Sequence, residues 1–526
     1  MGRGPCWFAR RRGDDLNLHV SLSLHDRGLP FQLAGWIPLV LALAIGIAIA
    51  ALPLNTLALF IGALISGALI AVIVAEPAFG MALTLIAGPF EPLESIMFHL
   101  PISSGQALLA LTLMAWIARM LVQRRAGLRT GSLIWPLLAF LSIGVLSFFA
   151  ARSYELWVKE CIKWAEVLAV YVFTLSQIRE NPRTRVLLLS AILLSVFLES
   201  GLGIYQYGLR GTGPVEFLIS GTHYRAYGTF EQPNPFGGYM GLTWPLAAGL
   251  GLYSLRESIR LFNSPLRATR AALPHYALAA FSLLVAAMGA FALVLSWSRG
   301  AWLAAIAAVI VMFIVALRKP LASLSLIAIV VIALFTFNLI DLLPAAIYNR
   351  LTDFTQEFSS FDVRGVSISA ANYSVIERLA HWQAAENMIV ARPWFGVGFG
   401  NYAAAYNQYR TLNWPVALGH AHNYYLNIWA ETGIFGLLIY LFLWGAIIYR
   451  TLKTFVKAAN PARDTRQAVQ PAYLVPALAL GLLGVWIHLS IHQGVDDLYV
   501  ANIFLLLGVY IGLLDSLHPD RLSTSS

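Results

Sequence analysis

The chain has 526 residues, of which 59% are hydrophobic and 12% charged, with a mean hydropathy of +0.70. Soluble domains carry roughly 25% charge, so the composition excludes a water-soluble globular protein and points to the bilayer. The net charge of +9 does not by itself indicate a nucleic-acid partner, because the cations are sorted along the chain.

Apolar stretches able to cross a hydrocarbon layer of roughly 30 Å as helices are predicted at 36–53, 55–75, 77–90, 105–122, 133–151, 159–177, 185–206, 236–255, 277–296, 300–318, 321–340, 424–449, 473–492 and 498–515. Only helices or closed barrels satisfy their backbones inside a bilayer. The expected fold class is an all-α polytopic membrane protein with about 12–14 transmembrane helices. A tail over 1–35 precedes a helix bundle over 36–340, which carries an outer loop at 207–235. A large outer loop at 341–423, further spans over 424–515 and a tail at 516–526 complete the chain.

With the amino terminus in the cytoplasm, alternate connections hold the cations: Arg10–Arg12, Arg124, Arg125, Arg129, Arg179, Arg183, Arg185, Arg256, Arg260, Arg267, Arg270, Arg318, Lys319, Arg450, Lys453, Lys457, Arg463 and Arg466. This is the positive-inside pattern, and it sends 341–423 to the outer face. The basicity therefore reports topology. Cys6 and Cys161 fall in a tail and a span, which argues against a disulfide framework or a thiolate metal site. The first 30 residues contain no apolar core leading to a small-residue cleavage site, so no signal peptide is read.

The large loop is long enough to be functional. Within it, "IERLAHWQAAENMIVAR" (376–392) has apolar groups at helical spacing and predicts an amphipathic helix near the membrane, stopped by Pro393. The glycines of "WFGVGFGNY" follow a helix and a proline, the wrong context for a dinucleotide loop. They are expected to permit close backbone packing.

Four polar clusters map to the outer end of the bundle: "HYRAYGTFEQPNPFGGY" (223–239), "SWSRGAW" (296–302), "GHAHN" (419–423) and "HLSIHQGVDD" (488–497). The segments "RAYGTFEQPN", "SRGAW", "RLAHWQAAENMIVARPWFGVGFGNY" and "HAHNYYLNIWAETGIFGLL", in that order and spacing, resemble the bacterial O-antigen ligase and O-antigen polymerase superfamily. The resemblance spans about residues 130 to 515. It implies a GT-C-like enzyme of the inner membrane, without a cofactor, whose site faces the periplasm. Such an enzyme takes a glycan from an undecaprenyl diphosphate donor and passes it to a lipid core, another glycan or a protein.

The residues suit that chemistry. A departing diphosphate needs cations, and Arg225 and Arg299 can each grip two phosphate oxygens while staying charged. An acceptor hydroxyl needs a base. An imidazole titrates near neutrality and can take the hydroxyl proton, and the resemblance places the functional histidine at His422. His420, Asn423, Tyr424, Arg378 and Lys163 are further candidates for substrate contact, and His488, Asp496 and Glu431 for support behind them. Each has a structural alternative: arginines anchor helices at headgroups, a histidine can cap a helix, and Lys163 can lock the bundle through Glu166 at i, i+3. Glu431, nine residues past His422, lies about 13 Å along a straight helix, so it is expected to take a polar partner on a neighbouring span. Asp496 is expected on the penultimate span and could orient His422. The aromatics between Trp382 and Trp429 suit either sugar stacking or an interfacial belt.

Hard divalent ions want several oxygen ligands, and no clustered Asp-x-Asp occurs in the outer loops, so a metal-free inverting displacement is expected. A polymerase, a secondary transporter of a small anion and a silent scaffold stand as alternatives. Transport would predict inverted repeats and ionisable groups at the bilayer midplane, whereas these clusters gather at one face.

Overall fold

The computed structural model describes residues 54–99, 102–124, 127–219, 221–263, 269–338, 347–348, 350, 362–366, 368, 372–412, 414–458 and 473–518. The span expected at 36–53, the tail at 1–35 and residues 519–526 of the other tail lie outside these residues, as do the expectations for Cys6, Arg10–Arg12, Arg125, Arg267, Arg463 and Arg466. The chain divides into two compact units, Met1–Ala71 and Val72–Ser526. In the first, the described segment is the opening part of helix α1 (Leu54–Ala75).

In the second unit, described helices are α2 (Pro77–Ala87), α3 (Glu91–Phe98), α4 (Ser104–Gln123), α5 (Ile134–Leu146), α6 (Tyr154–Glu180) and α7 (Arg183–Gly208). A two-stranded antiparallel ribbon, β1 (Leu218–Ile219) and β2 (His223–Tyr224), pairs Leu218 with Tyr224. Then come α8 (Pro233–Gly241), α9 (Trp244–Phe262), α10 (Thr269–Leu295), α11 (Arg299–Leu317) and α12 (Pro320–Thr336). In the large loop lie α13 (Tyr373–Ala391) and α14 (Tyr402–Tyr409), followed by α15 (Tyr424–Ala458), α16 (Leu474–His492) and α17 (Phe504–Ser516).

Among the described residues, seven helices are long and apolar enough to cross a membrane: α4, α6, α7, α10, α11, α15 and α16. The protein is thus an all-α polytopic membrane protein. α16 is the most enclosed of the seven, packed between α9 and α11, while α17 packs along α6.

Two expected spans are broken, each for a visible reason. The run 236–255 becomes α8 and α9, because the chain turns at Leu242 and Thr243, and Pro245, lacking an N–H, suits the first turn of a new helix. The last span begins only at Phe504, because 493–503 runs irregularly after α16. Irregular backbone of this kind survives at membrane depth only when buried in protein or lining a polar cavity. Both breaks lie toward the end of the bundle where α10 and α16 finish and α6, α11 and α15 begin.

At the opposite end, the fully buried Asp515 carboxylate accepts from the Tyr171 hydroxyl at 2.7 Å and pairs with Arg450, tying α17 to α6 and α15.

Candidate functional site

Arg225 is held by its backbone before its side chain reaches anything. Its N–H donates to Phe217 O at 2.9 Å and that of Ala226 to Leu295 O at 2.9 Å. Two buried side chains of α7 grip the turn that follows. Gln206 Oε1 accepts from Tyr227 N–H at 3.1 Å and Gly228 N–H at 2.7 Å, and Glu199 accepts from Thr229 N–H at 3.1 Å. The guanidinium then donates to Ser296 O at 2.8 Å and to Asn234 Oδ1 at 2.9 Å.

Arg299 is the first residue of α11, whose start is capped by the Ser298 hydroxyl, and it donates to Ser374 Oγ at 3.2 Å. Arg378 of α13 donates to Ser374 O at 2.7 Å and Val495 O at 3.1 Å, and lies 3.9 Å from Asp496. Arg350 donates to Trp297 O at 3.3 Å. These four guanidiniums come from four separate segments, and Arg225 feels the charges of the other three as well as that of Asp496. Burial, reinforced by Arg350, Arg378 and Arg299, pushes Arg225 down to about 9. A guanidinium stays protonated in proteins, so Arg225 is a buried cation among other cations.

His422 opens the other half of the site. Its backbone is left-handed at φ 51, a conformation uncommon outside glycine. Local bonds sustain it: His422 N–H donates to His420 Nδ1 at 3.1 Å, and Ala421 N–H to Asn427 Oδ1 at 3.1 Å. The ring's Nδ1 meets Asp496 Oδ1 at 3.3 Å, and its buried Nε2 has no hydrogen-bond partner. Burial alone would raise the Asp496 carboxyl, yet the His422 contact and the Arg378 charge outweigh it and hold the group well below the usual carboxylate range. An ionised Asp496 favours a hydrogen on His422 Nδ1, the ring nitrogen facing it, and leaves Nε2 as the atom without a partner. For His420, burial lowers the pKa and Asp497 opposes that only in part, so its ring favours the neutral form.

Other expected residues sit elsewhere. Asn423 caps α15, accepting from Tyr425 and Leu426 N–H at 3.1 Å each. Lys163 pairs with Glu160 at 2.7 Å, and no pair with Glu166 is seen among the described residues. Tyr424 is buried against Tyr499 and Tyr440. His488 is wholly buried beside Gly241, where an added Cβ would strike its ring, and its ring neighbour is His492. Asp496 lies past the end of α16, in the irregular 493–503 segment, which is what lets it turn toward His422.

Glu431 takes its hydrogen bonds from the large loop, and the charge of Lys163 on the neighbouring α6 also reaches it. It accepts from Gly400 N–H at 2.9 Å and Tyr402 N–H at 3.0 Å. The loop can dock there because α15 breaks at Gly433 (φ 70), freeing backbone groups: Val397 and Gly398 N–H donate to Ala430 and Glu431 O, and Ile434 N–H to Pro393 O, each at 2.9 Å. α13 ends at Ala391 and buries Ile376, Leu379, Ala380, Ala384 and Met388. Of the aromatics, Tyr402, Tyr406 and Tyr424 are core residues, whereas Trp394 is exposed.

Two neighbours of His422 and Arg225 were missed in the sequence. Arg350 lies in a stretch of the large loop without a recognisable motif; its one signal is that an arginine outside runs against the positive-inside bias. His381 shares the buried face of α13 with Ala384 and Met388, and its ring packs edge-on to His422 at 5.8 Å.

His420, His422 and Asp496 place three potential ligand atoms within 4.8 Å of one another. The count would serve a metal, but the electrostatics do not. Asp496 is shared with Arg378, and the surrounding guanidiniums oppose a dication.

Fold and site together define a polytopic helical membrane protein with a polar, cation-rich centre gathered at one end of its bundle. Residues 283–441 match the family model described as O-antigen ligase. The match includes Arg299, Arg350, Arg378, His420 and His422, while Arg225 and Asp496 lie on either side of it. It supports an enzyme of ligase or polymerase type that handles lipid-linked glycans. No curated protein matches the chain at a significant level.

Proposed function

We propose that the protein is an inverting, metal-independent glycosyltransferase of the bacterial inner membrane, moving a glycan from an undecaprenyl diphosphate to an acceptor hydroxyl at the periplasmic face. The observation that carries this reading is the His422–Asp496 contact at 3.3 Å beside four guanidiniums. In the proposed step the acceptor oxygen attacks the anomeric carbon as the bond to the diphosphate oxygen breaks. The hydroxyl proton passes to His422 Nε2, Asp496 stabilises the imidazolium that forms, and the polyprenyl diphosphate leaves with the bonding pair. Arg225, Arg299, Arg350 and Arg378 bind the diphosphate and offset the charge it gains. The same groups serve a ligase or a polymerase, which differ only in the acceptor. A transporter is less well supported, since these groups cluster at one end of the bundle and not around its middle.

The test uses the full chain in nanodiscs with membrane-extracted polyprenyl-diphosphate glycan. His422→Ala should lower transfer about 10²–10⁴-fold while donor binding persists. Unchanged transfer in that variant would remove the base, and wild-type flux of glycan without release of polyprenyl diphosphate would favour transport.

A further inference from the structure

We propose a second anion site, at the end of the bundle opposite Arg225, centred on Arg185 and taking a phosphate group: the headgroup phosphodiester of an anionic phospholipid, or free phosphate. It does not depend on the glycosyl-transfer reading.

Arg185 stands in the first turn of α7 and is the most enclosed arginine or lysine among the described residues, 4% exposed. A cation so enclosed is costly unless it faces an anion, and its counterparts do. Arg450 pairs with Asp515, Lys163 with Glu160 and Arg378 with Asp496. Arg185 pairs with no carboxylate among the described residues. Its Nη2 donates to Ser516 Oγ at 3.2 Å and to Ser516 O at 3.4 Å, both neutral oxygens at the end of α17. The carboxylates on the adjoining elements are engaged elsewhere. Asp515, next to Ser516, takes Tyr171 and Arg450, and Glu180 at the end of α6 takes Gln177 and Arg119.

A guanidinium carries five N–H hydrogens, and here those on Nε and Nη1 stay unmet. Nε is enclosed without a partner, whereas Nη1 makes no bond and is not enclosed, so it is the nitrogen open to a ligand. The carbonyl end of α17 offers only a partial negative charge, which leaves most of the cation unmatched. Further cations favour an anion here over a metal ion. Arg129, whose N–H donates to Ser176 Oγ on α6 at 2.8 Å, is exposed, and Arg179 and Arg183 flank the turn between α6 and α7. Phosphate oxygens suit the guanidinium fork, and basic pockets between membrane helices at headgroup level take acidic lipids.

The test uses the full chain in maltoside micelles, which contain no phosphorus, with added phosphatidylglycerol, phosphatidylcholine or inorganic phosphate. The wild type should retain phosphatidylglycerol over phosphatidylcholine about tenfold by native mass spectrometry, the worth of a hydrogen bond to a charged group, and Arg185→Gln should retain the two equally. Arg225→Gln, altered at the other end, should keep the preference. Inorganic phosphate raising the thermal midpoint of the wild type but not of Arg185→Gln, with no lipid preference, would identify the free ion as the occupant of the same site. Should Arg185→Gln not fold, the 15N-arginine wild type answers: the guanidinium resonance missing from Arg185→Lys must be dephased by phosphorus of the added lipid or phosphate. The proposal is overturned if that resonance is untouched by phosphorus. It is equally overturned if Arg185→Gln lowers the midpoint by the same amount with and without either anion, as loss of a mere tie to the end of α17 would.

Discussion

At the residue scale, the division of labour follows from which atoms are already engaged. His422 spends Nδ1 on Asp496 and keeps Nε2, so Asp496 acts by fixing a tautomer. Asp496→Asn should lower transfer about 10²–10⁴-fold, because an amide can present its N–H to Nδ1 and favour the wrong ring form. The sign of the pH dependence follows from the direction of the shift. Asp496 is held below the ordinary carboxylate range, so the stability it contributes is present above the unfolded value of about 3.9 and is lost as pH falls below it. Acid unfolding curves should therefore show a shallower low-pH loss in Asp496→Asn than in the wild type. Arg350 is the residue the sequence hid. Arg350→Gln should raise the KM for donor about 10–100-fold, the worth of a hydrogen bond to a charged group, with a smaller change in kcat, measured by initial rates against donor concentration.

At the element scale, the site depends on helices that stop. α16 ends at His492 so that 493–503 can carry Asp496 inward, and α15 breaks at Gly433 so that the large loop can dock. Gly433 has φ 70, and a Cβ there would collide with the Trp394 carbonyl. Gly433→Ala should cost about 1–3 kcal/mol from backbone strain alone, read as a lowered thermal midpoint, with the loop near Trp394 becoming protease-sensitive. The helices themselves were legible: 300–318 was expected where Arg299–Leu317 forms, and 473–492 where Leu474–His492 forms. Breaks within apolar runs were less so, since 236–255 reads as one continuous span until the turn at Leu242 and Thr243 is seen.

At the scale of the whole molecule, guanidiniums from four segments gather within electrostatic reach of Arg225, which is pushed down first by burial and then by Arg350, Arg378 and Arg299, with Asp496 opposing them. On the proposed reading, such a cluster is a diphosphate site held at some cost in stability, and a bound anion relieves that cost. Inorganic diphosphate should stabilise the fold in proportion to the logarithm of its concentration, by about 2.7 kcal/mol at a hundredfold excess over Kd, read as a raised thermal midpoint. Added salt should weaken the effect, and Arg225→Gln should remove most of it. No shift with diphosphate would argue that the cluster serves only to hold the loops.

The amino-acid sequence by itself determined the class of protein, the ends of most long helices and the face at which the polar residues collect. Hydrophobic runs, prolines and charge sorting are local properties, and a bilayer reads them locally. Only the tertiary structure decided that His422 meets Asp496 across 74 positions, that Lys163 turns to Glu160, and that Arg350 and His381 join the site. Those outcomes depend on which irregular segment is buried against which helix, and that is fixed by packing between distant parts of the chain, which no local pattern encodes.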